Sequence, residues 1–187
     1  MTIGFALCGS FCTYAQAFSI METLVKENTV IPIFSFTSAE TDSRFGSAAD
    51  FLARAEQICG ISPLQTIPDV EPIGPKNMLD ILLIAPCTGN TLAKLAHSIA
   101  DTPATMAAKS QLRNGKPVVV AISTNDGLCG AAENIGKLLA RKHYYFVPFG
   151  QDDPIQKPTS LIADFTKIPD TILFAATGKQ IQPLLKA

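Results

Sequence analysis

A three-layer α/β architecture, with a doubly wound parallel sheet covered by helices on both sides, is predicted by three observations. Short apolar runs alternate along the chain with stretches rich in Ala, Leu, Lys and Glu that are long enough for helices. Most runs are apolar on consecutive positions rather than alternate ones, as strands buried on both faces must be. Strand and helix in regular alternation then require parallel strands joined by helical crossovers.

The elements follow in order. Ile3–Cys8 reads as the first strand and Tyr14–Lys26 as the first helix; Val30–Thr37 is the second strand, followed by a helix over Ala48–Ile58. Ile81–Ala85 is the third strand, with helices expected over Thr91–Ala100 and Ala104–Arg113. Val118–Ile122, a helix over Ala131–Lys142 and a last strand over Tyr144–Pro148 complete the sheet. Asp170–Leu184 reads as a closing helix, weakened by Gly178 and ended by Pro183.

The 187 residues hold no Ser/Gly-rich linker, charge block, internal repeat or low-complexity tract, so one domain over residues 1–187 is expected. A chain of this size buries roughly 70% of the surface its unfolded form exposes. Charged residues make up 17% and hydrophobic residues 47%, where typical soluble domains carry about 25% charged residues. That balance favours burial of surface in contacts between copies, and a homo-oligomer is expected. A net charge of −1 without a basic patch argues against nucleic acid as a partner. Nothing approaches the apolar length of a membrane span, and Met1-Thr2-Ile3-Gly4-Phe5 has no signal-peptide form, so no membrane partner and a cytoplasmic location are expected. Five cysteines at irregular positions make no disulfide framework and suit a reducing compartment.

Open parallel sheets bind ligands outside the carboxyl ends of their strands. Four segments in that position are small and polar: Gly9-Ser10-Phe11-Cys12-Thr13, Thr37-Ser38-Ala39-Glu40, Cys87-Thr88-Gly89-Asn90-Thr91 and Ser123-Thr124-Asn125-Asp126-Gly127. Hydroxyls, glycine backbones and the free N–H groups of helix starts form a neutral cradle for a phosphate, assisted by the helix dipole. Asn adds an amide that donates and accepts at a planar heterocycle. Each of these residue types is also an ordinary N-cap or turn former, but recurrence at four strand ends points to a mononucleotide-like cofactor along the sheet edge. The first segment lacks the second and third glycines of the dinucleotide fingerprint, and no Gly-Lys-Ser/Thr marks a P-loop.

Other chemistry-bearing residues are weighed against plainer roles. Cys8, Cys12, Cys87 and Cys129 fall at the same sheet edge, yet the C-x3-C spacing of the first two is not diagnostic; buried small side chains explain them, and no metal site is assigned. His97 and His143 lie in helical or helix-end segments suited to surface or packing roles. Arg44 is the candidate for a substrate carboxylate or a phosphate, since its planar fork binds either bidentately, although a solvated loop arginine fits equally. Lys76 and Lys109 face solvent or a contact with another chain. Gln151-Asp152-Asp153-Pro154 forms either a docking turn or a Pro-terminated loop. Neither Glu71 nor Asp152 is given a catalytic role, and the catalytic residues stay unassigned.

Ile84-Ala85-Pro86-Cys87-Thr88-Gly89-Asn90-Thr91-Leu92-Ala93-Lys94-Leu95-Ala96, with Asp101 behind it, resembles the Pro-Ala-Ser-Ala-Asn-Thr segment of FMN-binding flavoproteins. That family includes peptidyl-cysteine and phosphopantothenoylcysteine decarboxylases and prenyl-flavin synthases. Gly9-Ser10 ahead of Tyr14 is similar to the family's first phosphate-side turn, and Ser123-Thr124-Asn125 falls where it carries Ala-Met-Asn. Longer strings resemble the flavoprotein-like B subunits of the dipicolinate synthases of spore-forming bacteria, from about residue 3 to residue 184. They include Arg44-Phe45-Gly46, Glu71-Pro72-Ile73-Gly74-Pro75-Lys76, Met106-Ala107-Ala108-Lys109, Ile122-Ser123-Thr124-Asn125-Asp126 and Pro148-Phe149-Gly150-Gln151-Asp152-Asp153-Pro154.

The resemblance implies a flavodoxin-like or Rossmann-like flavoprotein fold with FMN as cofactor. It also implies a partner, the synthase's A subunit, which carries NAD(P), together with a small dicarboxylate substrate. The reaction implied is oxidation of a dihydrodipicolinate-type intermediate to pyridine-2,6-dicarboxylate in the sporulating mother cell. Carried onto this chain, the cofactor contacts are Gly9, Ser10 and Thr13 near the phosphate with Thr37 and Ser38 beside it; Thr88, Asn90 and Thr91 along the ribityl chain and ring; and Ser123 and Asn125 at the ring's far edge. Thr13 serves as ligand contact or as N-cap, since one hydroxyl can do both. Two alternatives stay open: a cofactor-free scaffold for the nicotinamide-dependent partner, and an FMN-dependent decarboxylase. Against the latter, Val70-Glu71-Pro72-Ile73-Gly74-Pro75 stands where the decarboxylases carry a His, and the loop around Cys129 lacks their Met-Trp pattern.

Overall fold

The computed structural model describes residues 1–186. Five strands, β1 (Thr2–Leu7), β2 (Thr29–Phe34), β3 (Ile81–Cys87), β4 (Val118–Thr124) and β5 (Tyr144–Phe146), run parallel in the order β2-β1-β3-β4-β5. This is the flavodoxin-like doubly wound order. β3 is buried along its whole length and β4 at all but its last residue, as expected of strands with helices on both faces.

The helices are α1 (Tyr14–Leu24), α2 (Phe36–Glu40), α3 (Ala48–Cys59), α4 (Ile67–Val70), α5 (Gly89–Ala96), α6 (Pro103–Arg113), α7 (Ala132–Leu139) and α8 (Ile168–Ala176). Right-handed crossovers stepping outward in both directions from β1 put α1 on one face and α5 to α7 on the other. α8 packs on β3, β4 and β5, joined to α1 through the 3-10 turn Phe165–Lys167. Phe5, Leu7, Ile33, Leu83, Val119 and Phe146, all fully buried, fill the space between the layers.

Several boundaries differ from the sequence reading for identifiable reasons. β2 stops at Phe34 because Ser35 caps the next helix, its hydroxyl accepting from the Ser38 N–H at 3.3 Å, so Thr37–Glu40 is helical and not a loop. α5 ends at Ala96 rather than Ala100, where the Arg141 guanidinium donates to the Leu95 and Ala96 carbonyls at 3.1 and 2.7 Å. A cation on these carbonyls satisfies groups the helix leaves unpaired and complements its dipole. The closing helix stops at Ala176, and the segment behind it serves the sheet. There the Gln180 side chain accepts from the Phe146 N–H and donates to its carbonyl, both at 2.7 Å, closing the edge of β5 as a strand would.

Two further strands, β6 (Phe149–Gly150) and β7 (Leu161–Ala163), pair antiparallel with each other. β7 also pairs antiparallel with the end of β4 through Ser123 with Ile162 and Thr124 with Leu161. Strands of two and three residues show no periodicity to read.

Cys8 and Cys87 lie buried at the ends of β1 and β3. Burial pushes the Cys8 thiol up to about 11, from 9.0, and raises Cys87 well above its ordinary value. The folded protein therefore holds these protons more tightly than the unfolded chain. The Cys8 contribution to stability is complete below about 9 and is lost as pH rises through about 11, and the Cys87 contribution is lost in the same direction. The urea midpoint is expected to fall between neutral pH and about pH 10; an unchanged midpoint would place both thiols in contact with water.

Candidate functional site

The loop leaving β1 turns at once, with the Ser10 N–H donating to the Cys8 carbonyl at 2.7 Å, and enters the 3-10 turn Phe11–Thr13. The Thr13 hydroxyl donates back to the Ser10 carbonyl at 2.9 Å and makes no side-chain cap for α1. The Ser10 hydroxyl lies 2.7 Å from that of Ser123, at the end of β4, across a sequence separation of 113 residues. Two of the four polar segments thus meet through their side chains.

The loop leaving β3 brings the third. Thr88 caps α5, its hydroxyl accepting from the Thr91 N–H at 3.2 Å and lying 3.0 Å from the Thr91 hydroxyl. Gly89 follows because nothing larger fits: a Cβ there would stand 2.7 Å from an Asp126 carboxylate oxygen and 2.8 Å from the Thr124 hydroxyl. The close approach locks the start of α5 against the loop leaving β4, where the Thr124 hydroxyl donates to Asp126. The Thr159 hydroxyl donates to the Asn125 carbonyl at 2.7 Å and ties that loop to the 151–160 excursion between β6 and β7.

These loops enclose a cleft of about 640 Å³, within the range of about 300–1,000 Å³ usual for small-molecule sites. Gly9 to Thr13, Thr88 and Ser123 to Asn125 form its floor; Ser43, Arg44 and Phe45 stand on one side, and Asp152, Lys157 and Ser160 to Ile162 on the other. Lys157 pairs with Asp152 at 2.9 Å, which holds the Asp152 carboxyl below its ordinary range and raises the lysine. The Arg44 guanidinium lies 4.9 Å over the Phe45 ring and has no ion-pair partner among the described residues.

Of the residues expected at a cofactor, Gly9, Ser10, Thr13, Thr88, Ser123 and Asn125 line the cleft, and so does Arg44. Thr37 is exposed with its methyl group against Gly9, outside the lining. Ser38 is fully buried and donates to the Leu7 carbonyl at 2.8 Å, so it braces the end of β1 instead of facing the cleft. Thr91 is turned inward against Thr88, and Asn90 is exposed on the first turn of α5 away from the lining. The sequence reading does not include Lys157, Ser160 and Phe45 in the site. Lys157 and Ser160 belong to an excursion whose flanking strands are too short to recognise, and no signal in the chain marks them.

His97 caps the carboxyl end of α5 and His143 precedes β5, so both sit at the amino end of the sheet, away from the cleft. Glu71, in the 3-10 turn ahead of Gly74, whose carbonyl accepts from Asn114 just behind α6, lies at that same remote end and forms no pair with Asp152. No cluster of His, Cys, Asp and Glu that could hold a metal occurs among the described residues. The cleft therefore has a floor of hydroxyls and backbone N–H groups with a cation on either side. Such an arrangement is chemically suited to an anionic ligand.

The Flavoprotein family profile matches residues 1–172. The dipicolinate synthase B subunit of Bacillus subtilis (strain 168) is 44% identical over 98% of this chain and 92% of its own length. The crystal structure of the dipicolinate synthase B subunit from Bacillus halodurans C superposes with a TM-score of 0.91 at 44% identity, covering 100% of this chain and 96% of that one. The FMN-dependent cysteine decarboxylase SpaF, at 20% identity with a TM-score of 0.68 over 95% of this chain and 97% of that one, shares the fold. No helix among the described residues is long and apolar enough to cross a membrane. With its sheet order, its hydroxyl-lined cleft and its 44% identity over nearly the whole chain, this protein belongs to the flavoprotein family, in the group of dipicolinate synthase B subunits.

Proposed function

We propose that this chain binds FMN in the cleft and serves as the flavoprotein component of a two-component dipicolinate synthase. In this reading it takes part in oxidising a dihydrodipicolinate-type intermediate to pyridine-2,6-dicarboxylate in the cytoplasm of a sporulating mother cell. The observation that carries the reading is the convergence of Ser10 and Ser123, 2.7 Å apart, on a cleft that Thr88 and Arg44 also line. The donor set fits the group: the hydroxyls of Ser10 and Thr13 beside the Gly9 backbone suit a phosphate, and Asn125 suits the edge of a heterocycle. A bound flavin would supply the acceptor for the hydride that leaves when the ring becomes aromatic.

The chain's own residues bind and orient. Ser10, Thr13 and Gly9 hold the phosphate end; Thr88 and Ser123 line the middle of the cleft; Arg44 takes a substrate carboxylate. The partner, the synthase's A subunit, brings NAD(P) and receives or relays the reducing equivalents. Self-association is part of the same reading, since Leu173 and Phe174 are adjacent on α8 and 60% and 44% exposed. Decarboxylation is the weaker alternative because neither histidine reaches the cleft.

The test is the visible absorption spectrum of the purified protein during titration with FMN, followed by flavin fluorescence. The expected result is a bound flavin that bleaches when the intermediate and the NAD(P)-carrying partner are supplied. A protein that binds no flavin would overturn the reading in favour of a scaffold whose chemistry belongs to its partner.

A further inference from the structure

The two cations that line the cleft come from opposite ends of the sheet. Arg44 stands on the loop behind α2, at the β2 side, and Lys157 stands on the 151–160 excursion at the β7 side. In the order β2-β1-β3-β4-β7 the carboxyl ends of β1, β3 and β4 lie between them. Four interstrand spacings make about 19 Å of sheet width. Both side chains nevertheless line the same cleft, so a ligand seated over these strand ends lies between two cations, each on a long side chain that can reach toward it.

Each cation is also available. Arg44 rests on the Phe45 ring, which leaves its fork of N–H donors for a carboxylate. Lys157 is held by Asp152 at 2.9 Å, but the two side chains are 57% and 27% exposed. An ion pair so exposed contributes little, so water can solvate Asp152 while the lysine turns to a ligand. Among the described residues no other acidic side chain lines the cleft to compete for it.

We propose that Lys157 is the second carboxylate anchor of the cleft. It leaves Asp152 for one carboxylate of a small planar dicarboxylate whose other carboxylate is held by Arg44. This rests on the reading of the cleft as the flavin and substrate site, and it makes Lys157 the residue that tells a dicarboxylate from a monocarboxylate. No bond is made or broken; one exposed ion pair is exchanged for another that the bound ligand shields from water.

The experiment is a calorimetric titration with two probes, pyridine-2,6-dicarboxylate and pyridine-2-carboxylate, on the protein with and without FMN. Lys157→Gln is expected to weaken the dicarboxylate about tenfold, the effect of losing one charge-assisted hydrogen bond, and to leave the monocarboxylate unchanged. Lys157→Arg restores the preference, and Asp152→Asn, which frees the lysine, strengthens it. Circular dichroism of Lys157→Gln is unchanged, because the side chain is more than half exposed at 57%. A Lys157→Gln protein that keeps the wild-type preference overturns the assignment, whether or not flavin is present. A wild-type protein that prefers the dicarboxylate yet binds no FMN overturns the flavin reading and leaves Lys157 in place.

Discussion

Ser10→Leu is expected to abolish FMN binding, lowering affinity by at least about a hundredfold, while changing unfolding free energy by no more than about 0.5 kcal/mol. The substitution removes the hydroxyl that lies 2.7 Å from Ser123 and sets a branched apolar side chain into the cleft floor. Part of the loss is a charge-assisted hydrogen bond to the phosphate, worth about 1.5–3 kcal/mol, and the remainder is steric overlap. Ser10 is only half-buried and lies outside the regular elements, so the fold has little to lose. Ser10→Ala separates the two contributions, with a loss of about ten- to a hundredfold from the missing hydroxyl alone. Fluorescence titration with a thermal melt of the same samples gives both numbers. Retained affinity in Ser10→Leu would remove the loop behind β1 from the site.

Phe51→Ala is expected to cost about 3–5 kcal/mol, a large part of the roughly 5–15 kcal/mol that holds a domain together. Phe51, 8% exposed, is the hub of an aromatic cluster, with ring centroids 4.7 Å from Tyr14, 6.0 Å from Phe18 and 6.2 Å from Phe11. Its ring also seats the loop that carries Arg44. Gly46 has φ +147°, and a Cβ there would come within 2.8 Å of Phe51 Cζ, so the loop lies directly against the tip of the ring. Phe51 does not line the cleft, yet its loss should weaken dicarboxylate binding by releasing Arg44 from its position. The urea midpoint reports the first effect, and ligand affinity measured well below that midpoint reports the second. Affinity that survives the loss of stability would show that the Ser43–Gly46 backbone pair, at 3.0 and 3.1 Å, holds the loop unaided.

The parallel strands are legible because each carries its own signal: a run such as Ile81 to Ala85 is apolar at every position and too short for a helix, as a strand buried on both faces is. The closing helix is overextended for the complementary reason. Gly178, with φ +74°, is the local stop signal, which the sequence reading treats only as a weakening; beyond it Gln180 and Leu184 are drawn off to pair with Phe146 and Phe149 of the sheet edge, a demand that no local pattern records. Residue type and position point Ser38 at the cofactor. What turns it inward is a five-residue helix that begins at Phe36, with its hydroxyl spent on the Leu7 carbonyl.

By itself the sequence determined the layers, the strands that form the sheet, the family, and the gathering of small polar segments at the carboxyl edge of the sheet. These follow from periodicity, and from short polar segments read one at a time at strand ends. The tertiary structure alone decided which of those polar side chains share a cavity. Ser10 and Ser123 meet because β1, β3 and β4 are neighbours in the sheet, while Asn90, one residue from Gly89, faces away because a helical turn rotates it out. The tertiary structure also brought Lys157 to the cleft from an excursion between strands of two and three residues. Strand and helix formation are local and leave a trace in the order of residues. The contents of a cleft are set by contacts between distant segments, and their geometry exists only once the chain is packed.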